Sequence, residues 1–448
     1  MTTTAPTQGP SGRSPWLIAV ALALTACAPA GVAGATTFGA MGQSNPYGPT
    51  ASTLAVGARL QRISTPLIVP FTDTATGAWS YASAPKGLPA VAAGATAIPL
   101  ASAKGFVVGD PVSSPVLPAG AKVASVAGDT VTLSAGANQN VYSIADLLPI
   151  AAASKAAGLH VYIMLRNSCT AFITGSCPMA SDRDYGREVA LTAQAYARTG
   201  VSIDYFAIES EEDSVNNNHD SSTLPQYFRK LRDAVGVLHA MGYKVADGGL
   251  TTPGAMYYHW ASLFYLPGGF APNTAENRKR ADAFAAVAFK GNARTGIAYD
   301  MLPTRCGSGA RDFKPTSFVF RSIEKVRAMI ADDRTNGVDY LNIHWYQVDP
   351  WAMVQVVGDL SRQVGKPAVL GEMGTYDQDP ARVTALLSAA LTLDPPSLLW
   401  WNFDTKGGVT ALTNPDGSLR PNGAAFKRFV AAPRPLSPRP PEAAPPGC

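Results

Sequence analysis

Charge is scarce in this chain. Asp, Glu, Lys and Arg make up 15% of the 448 residues, and 36 basic against 32 acidic groups leave a net charge of +4. The basic residues are spread along the sequence without the blocks that grip nucleic acid, which argues against nucleic acid as a partner. Histidine is rarer still, at 5 residues, and neither HExxH nor a paired-histidine motif occurs, so metal-dependent hydrolysis is disfavoured and no metal is expected. Neither GxGxxG nor GxxxxGK[ST] follows a strand-like segment, which removes the usual nucleotide-binding open sheets and leaves no cofactor implied. What the chain does have is apolar content of 46%, enough for a sizeable core in one large barrel or two to three smaller domains.

The first 27 residues have the pattern of an export signal. Arg13 is the only charge before the apolar run Trp16 to Leu24, which at nine residues is too short to span a bilayer. Leu24-Thr25-Ala26-Cys27 resembles a bacterial lipobox, which implies lipidation at Cys27 and a periplasmic or outer-membrane lipoprotein held to a membrane surface by that anchor. A simple secretory signal cut after a following alanine is the alternative, and both place the chain outside the cytoplasm. Export leaves Cys169, Cys177, Cys306 and Cys448 in an oxidising compartment. Cys169 and Cys177 bracket a short loop and are expected to pair. Cys306 and Cys448 form the remaining option, with two free thiols as the alternative.

From about Leu147 helical and strand-like patterns alternate. Helical stripes run from Asp182 to Thr199, with Ser181 and Asp184 as capping candidates and Gly200 as the stop. A second runs from Leu224 to Met241, and a third takes in Val319, Ile323, Val326 and Ile330. Strand candidates fall at 35–40, 58–64, 159–165, 201–208, 243–248, 338–346, 368–371 and 398–402. Eight strands alternating with helices predict an α/β fold, a (β/α)8 TIM barrel, over residues 34–87 and 142–430. Residues 88–141 break the pattern. They are nearly uncharged, and Val123 to Val126 and Thr130 to Leu133 flank Gly128-Asp129 as a hairpin would, predicting a small all-β insertion between barrel strands 2 and 3. This stretch resembles β modules of phage tail and bacterial surface proteins, and either grips an extended glycan or serves as a spacer. Residues 431–448 form a Pro-rich tail.

In a barrel of this kind the C-terminal strand ends carry the chemistry. Polar residues recur there: Arg166 and Asn167, Glu211, Asp247, His344 and Tyr346, Glu372, Asn402 and Asp404. Glu211 and Glu372 each follow a short apolar run, 161 residues apart (372 − 211), so only the fold can bring them together. Two carboxyls about 5 Å apart are what retaining glycosidic cleavage needs.

Ile208-Glu209-Ser210-Glu211-Glu212-Asp213 and Leu370-Gly371-Glu372-Met373-Gly374 resemble the fourth- and seventh-strand ends of the retaining glycoside hydrolases built on (β/α)8 barrels. Family 39 and its neighbours look nearest. The resemblance implies a glycosidase acting on a poly- or oligosaccharide, bacterial exopolysaccharide included, with Glu211 as general acid/base and Glu372 as nucleophile. It further implies that Arg62 holds Glu372 ionised, that Tyr346 of His344-Trp345-Tyr346 hydrogen-bonds it, and that Trp401 lies under the sugar. Ser210 stands where that clan has asparagine against the sugar 2-hydroxyl. By charge alone, Glu209, Glu212 and Asp213 would raise the pKa of Glu211 while Arg62 favours an ionised Glu372. Competing readings are a non-catalytic glycan-binding envelope lipoprotein, a structural part of an envelope export assembly, and, for the acidic cluster with Asn216 to Asp220, a cation site.

Overall fold

The computed structural model describes residues 36–41, 50–83, 90–138, 140–166, 184–214, 223–264, 275–289, 318–346, 349–403 and 410–436. Cys27, Asn167, Cys169, Cys177, Cys306, Asp404, Cys448 and the Asn216 to Asp220 run lie outside them, and with them the lipidation, disulfide and cation-site expectations. No helix among the described residues is long and apolar enough to cross a membrane.

Eight parallel strands form the barrel: β1 (Thr37–Ala40), β2 (Leu60–Pro66), β9 (His160–Arg166), β10 (Ser202–Ile208), β11 (Val245–Ala246), β12 (Leu341–Trp345), β13 (Ala368–Met373) and β14 (Ser397–Trp400). Their order is β11-β10-β9-β2-β1-β14-β13-β12, and the bridges Ala246 to Tyr340 and Leu250 to Ile343 close the ring between β11 and β12. Every expected strand is therefore present. Tyr162, Tyr205, Met164, Leu60, Val369 and Leu399 fill the barrel, and a larger apolar layer joins the strands to the outer helices. Such burial on both faces explains the near-continuous apolar runs.

The helices begin where short polar side chains can cap them. Asp184, Asp349 and Asp379 each accept a backbone N–H from the first turn of Tyr185–Thr199, Pro350–Val364 and Pro380–Leu391. Helix Tyr185–Thr199 starts three residues later than the apolar pattern predicts because Asp184 is its cap. Gly200, at φ 71°, stops it as expected. Helices Thr252–Phe264 and Ala275–Ala288, between β11 and β12, have no counterpart in the sequence reading. The first is apolar almost all round, so no polar face marks its period.

Strand β11 is much shorter than its expected six residues because side chains take over its pairing. Asp247 accepts the backbone N–H of Asn342 at 2.6 Å, and Asn342 Oδ1 accepts that of Gly371 at 3.1 Å. Asp247 thus belongs to the barrel wall rather than to a site. Its carboxyl lies against that of Asp333, at the end of helix Phe318–Asp333, and both are buried. Burial raises both, Asp333 to about 7, so the folded pair retains protons that the unfolded chain releases near pH 4. Stability from this pair is complete below about pH 4 and is lost as pH rises toward 7. Asp333→Asn is expected to flatten that slope and raise the urea midpoint at pH 8 but not at pH 4.5. An unchanged slope would show that the pair shares no proton.

The all-β insertion holds two three-stranded antiparallel sheets. One is β4-β3-β6 (β3, Pro70–Asp73; β4, Trp79–Tyr81; β6, Val112–Ser113), and the other is β5-β8-β7 (β5, Ala97–Pro99; β7, Val123–Ala127; β8, Thr130–Leu133). The hairpin at Gly128 is the one read from sequence. The unit's core runs from Val69 to Val141, so its first two strands precede the expected boundary at 88. Those strands carry Pro70, Asp73 and Trp79, which blur their apolar alternation. Ile68, Ile144 and Ala195 join the module to the barrel's flank.

Candidate active site

Glu372 stands at the C-terminal end of β13, held by three elements. Glycine precedes it because a Cβ at Gly371 would collide with the Asn342 side chain. Arg62 of β2 forms an ion pair with Glu372 Oε1, and both side chains are buried. Its Nε donates to Ser64 Oγ at 2.9 Å, which fixes the guanidinium plane. Burial works against the Arg62 charge, but Tyr162 and Glu372 outweigh it and hold the group cationic. Tyr346, just beyond β12, donates its hydroxyl to Glu372 Oε2 at 2.7 Å. Burial and the facing carboxylate push that hydroxyl far above its usual range, so it stays a donor. Both Glu372 oxygens therefore accept from protein donors.

Glu211, three residues past the end of β10, reaches the same place. Its Oε1 lies 2.9 Å from His344 Nδ1, which is itself 3.7 Å from Glu372 Oε2. A carboxylate oxygen of each glutamate and the His344 nitrogen all fall within 4.8 Å of one another. His344 is fully buried. Burial lowers its affinity for a proton, but Glu372 and Glu211 outweigh that and leave its pKa raised. The trio has the donor set of a cation site, yet Arg62 already places a positive charge on Glu372, and a dication would have to be held beside it.

Backbone conformation at the end of β10 is unusual. Glu209 and Glu211 have φ of 64° and 55°, left-handed values that cost a non-glycine residue about 1–2 kcal/mol. Alternate residues are turned by this, so Glu211 enters the mouth while Glu209 points into the wall. There Glu209 Oε1 meets Lys230 Nζ at 3.5 Å and the Tyr185 hydroxyl at 3.1 Å. Glu209 is thus a structural anion and not a rival to Glu211. Ser210 is buried between the two turned residues. Arg166, buried at the end of β9, has its pKa lowered by burial, with Glu209 acting in the opposite sense. Asp213 is buried with its pKa raised to about 6, by burial first and the Glu211 charge in part.

Aromatic rings wall one side. Tyr346 lies 6.4 Å from Trp401 and 6.1 Å from Tyr376, Phe403 stands edge-on to Trp401 at 6.2 Å, and the Arg62 guanidinium sits 5.5 Å from the Trp401 ring centre. Arg62, Glu211, His344, Tyr346, Glu372 and Trp401 are accordingly gathered at one mouth, with Ser210 buried next to Glu211 in the chain. Asn402 is not among them, since its Oδ1 accepts the Leu412 and Thr413 backbone N–H groups and braces a loop. Tyr376 and Phe403 were missed in the sequence. Each lies a few residues past a strand end, and an aromatic following Glu372 or Trp401 was the available signal.

No protein-family model matches the chain, and no curated protein matches it in sequence. Solved structures similar to it include an endo-β-1,4-mannanase from Thermotoga petrophila, 12% identical over 88% of this chain and 76% of that one, TM-score 0.39. A glycoside hydrolase family 30 subfamily 8 xylanase from Clostridium acetobutylicum is 12% identical over 88% and 71%, TM-score 0.40. A fungal β-1,4-galactanase is 12% identical over 63% and 82%, TM-score 0.39. Likenesses at this level leave substrate and reaction to be argued from the site itself.

The arrangement has a definite chemical capacity. Glu372 is fixed on two donors with an arginine charge beside it, which suits a carboxylate that must attack as an anion. Glu211 has one oxygen engaged by His344 and its side chain partly exposed at the mouth, which suits a group that exchanges protons with a bound molecule.

Proposed function

We propose that this chain is a retaining glycoside hydrolase acting on a poly- or oligosaccharide. The observation that carries this reading is the separation of the two glutamates, within 4.8 Å oxygen to oxygen, with one of them ion-paired to a buried arginine. Inverting enzymes need about 6.5–9.5 Å between carboxyls to admit a water, whereas direct attack needs about 5 Å.

In the proposed reaction Glu372 Oε attacks the anomeric carbon as Glu211 protonates the departing oxygen, giving a glycosyl ester on Glu372 and a free alcohol. Glu211, now ionised, takes a proton from water as that water attacks the ester, which releases the sugar with its original configuration. Arg62 and Tyr346 stabilise Glu372 as it leaves. His344 Nδ1 donates to Glu211 Oε1, which directs the proton-carrying role to Oε2. Trp401 offers an apolar face to the sugar at the cleavage point, and Ser210 replaces an amide contact at C2. Export, the Cys27 lipid anchor and the Cys169 to Cys177 disulfide complete the proposal, and an envelope location fits a bacterial exopolysaccharide as substrate.

The test is a panel of 2,4-dinitrophenyl glycosides together with exopolysaccharides scored for new reducing ends. Turnover by the native protein that disappears in Glu372→Ala is expected. Glycan binding without turnover on any member would overturn the enzymatic reading.

A further inference from the structure

We propose that Asp213, Thr251 and Lys325 form a clamp that holds Glu211 in its left-handed conformation, making all three positioning residues for proton transfer to the leaving group although none faces the substrate. This rests on Glu211 being the acid/base. A left-handed glutamate persists only where its surroundings over-determine it, and the turn after β10 is pinned at several points. The Glu211 N–H donates to Gly248 O at 3.0 Å, and the Ser214 N–H returns to Glu211 O at 2.9 Å. The buried Asp213 carboxylate accepts the Thr251 N–H at 3.0 Å and the Thr251 hydroxyl at 2.6 Å. From helix Phe318–Asp333, Lys325 Nζ donates to the carbonyls of Glu212 at 3.1 Å and Ser214 at 2.9 Å. These contacts fix the residues immediately following Glu211, and through them its φ.

Thr251 and Thr252 divide the labour. Thr251 anchors the Glu211 turn, whereas Thr252 Oγ1 donates to His344 O at 2.7 Å and accepts the Tyr346 N–H at 2.8 Å, anchoring the segment that bonds Glu372. Gly254 completes the seat. Its N–H donates to Thr251 Oγ1 at 3.2 Å, and a Cβ there would run into Asp213 Oδ2. One helix start therefore serves both carboxylates by separate contacts, and each can be loosened without the other.

Loosening the Glu211 side should impair only substrates whose leaving group needs a proton. The parameter to read is kcat/KM, which reports the steps through glycosylation and is blind to the later hydrolysis. Thr251→Val, Asp213→Ala and Lys325→Met are compared on a methyl glycoside and the 2,4-dinitrophenyl glycoside of the same sugar, taken from the panel above. A displacement of the acid by an ångström is worth about a hundredfold. We expect at least a tenfold fall with the methyl glycoside and at most about threefold with the dinitrophenyl glycoside. Asp213→Asn and Lys325→Arg, which keep acceptor and donor, should restore most of the loss.

Amide exchange in the peptide spanning 209–214 gives a second readout that needs no substrate, expected to quicken at least tenfold in Lys325→Met with the global unfolding midpoint unmoved. Lys325 is partly exposed, so this variant should fold even if Asp213→Ala does not. Equal losses on both substrates, or unchanged exchange, would overturn the clamp. Failure of the underlying reading looks different: Glu211→Ala itself would then show no dependence on leaving group.

Discussion

Glu372→Ala is expected to lower kcat on every glycoside by about 10⁴–10⁶-fold, the scale seen when a nucleophile is removed from a covalent mechanism. Both chemical steps pass through the ester on this residue, so an activated leaving group offers no escape. The variant leaves space between Arg62 and the anomeric carbon, next to a guanidinium that has lost its counter-ion. Sodium azide should enter that space and restore turnover, giving a glycosyl azide of inverted configuration because one displacement replaces two. The fold should suffer as well, since Arg62 is buried and breaking such a pair costs about 3–5 kcal/mol. Chromatography and NMR of the azide product check the claim. Recovery of free sugar at the native rate, with or without azide, would remove Glu372 from the chemistry.

Glu211→Ala should fail in a different way. With a dinitrophenyl leaving group the first step needs no proton, so kcat/KM should stay within a few-fold of native. Hydrolysis of the ester does need a base, and loss of general catalysis of this kind is worth about 10²–10⁴-fold. The glycosyl enzyme should therefore accumulate, visible by intact mass and mapped to the peptide containing Glu372. A methyl glycoside or a polymer should be almost inert. Unchanged polymer hydrolysis would shift the acid role away from Glu211, and the Lys230 partner of Glu209 makes that neighbour a poor replacement.

Much of this was legible before the fold. The barrel strands announce themselves because burial on both faces demands unbroken apolar runs, and six of the eight are followed at the C-terminal end by polar residues. Sequence alone could not sort those polar residues by role. Asp247 and Glu372 look alike as acids at strand ends, yet one pairs with a neighbouring backbone to close the barrel and the other with Arg62. Glu209 and Glu211 are likewise both acids in one run, separated only by two positive φ angles. Conformations of that kind are imposed by tertiary contacts from Thr251 and Lys325, which no local pattern encodes. The early strands of the insertion were obscured for a simpler reason: Pro70 and Trp79 interrupt the alternation that strand Thr130–Leu133 shows.

The central claim is double displacement at a pair of carboxyls within 4.8 Å. It is tested most directly by ¹H NMR of the first product released by the native protein, recorded before mutarotation scrambles the anomeric centre. The account predicts that the initial anomeric signal has the configuration of the substrate. An initial signal of opposite configuration would contradict it, because a single displacement by water cannot be reconciled with Glu372 as the attacking group.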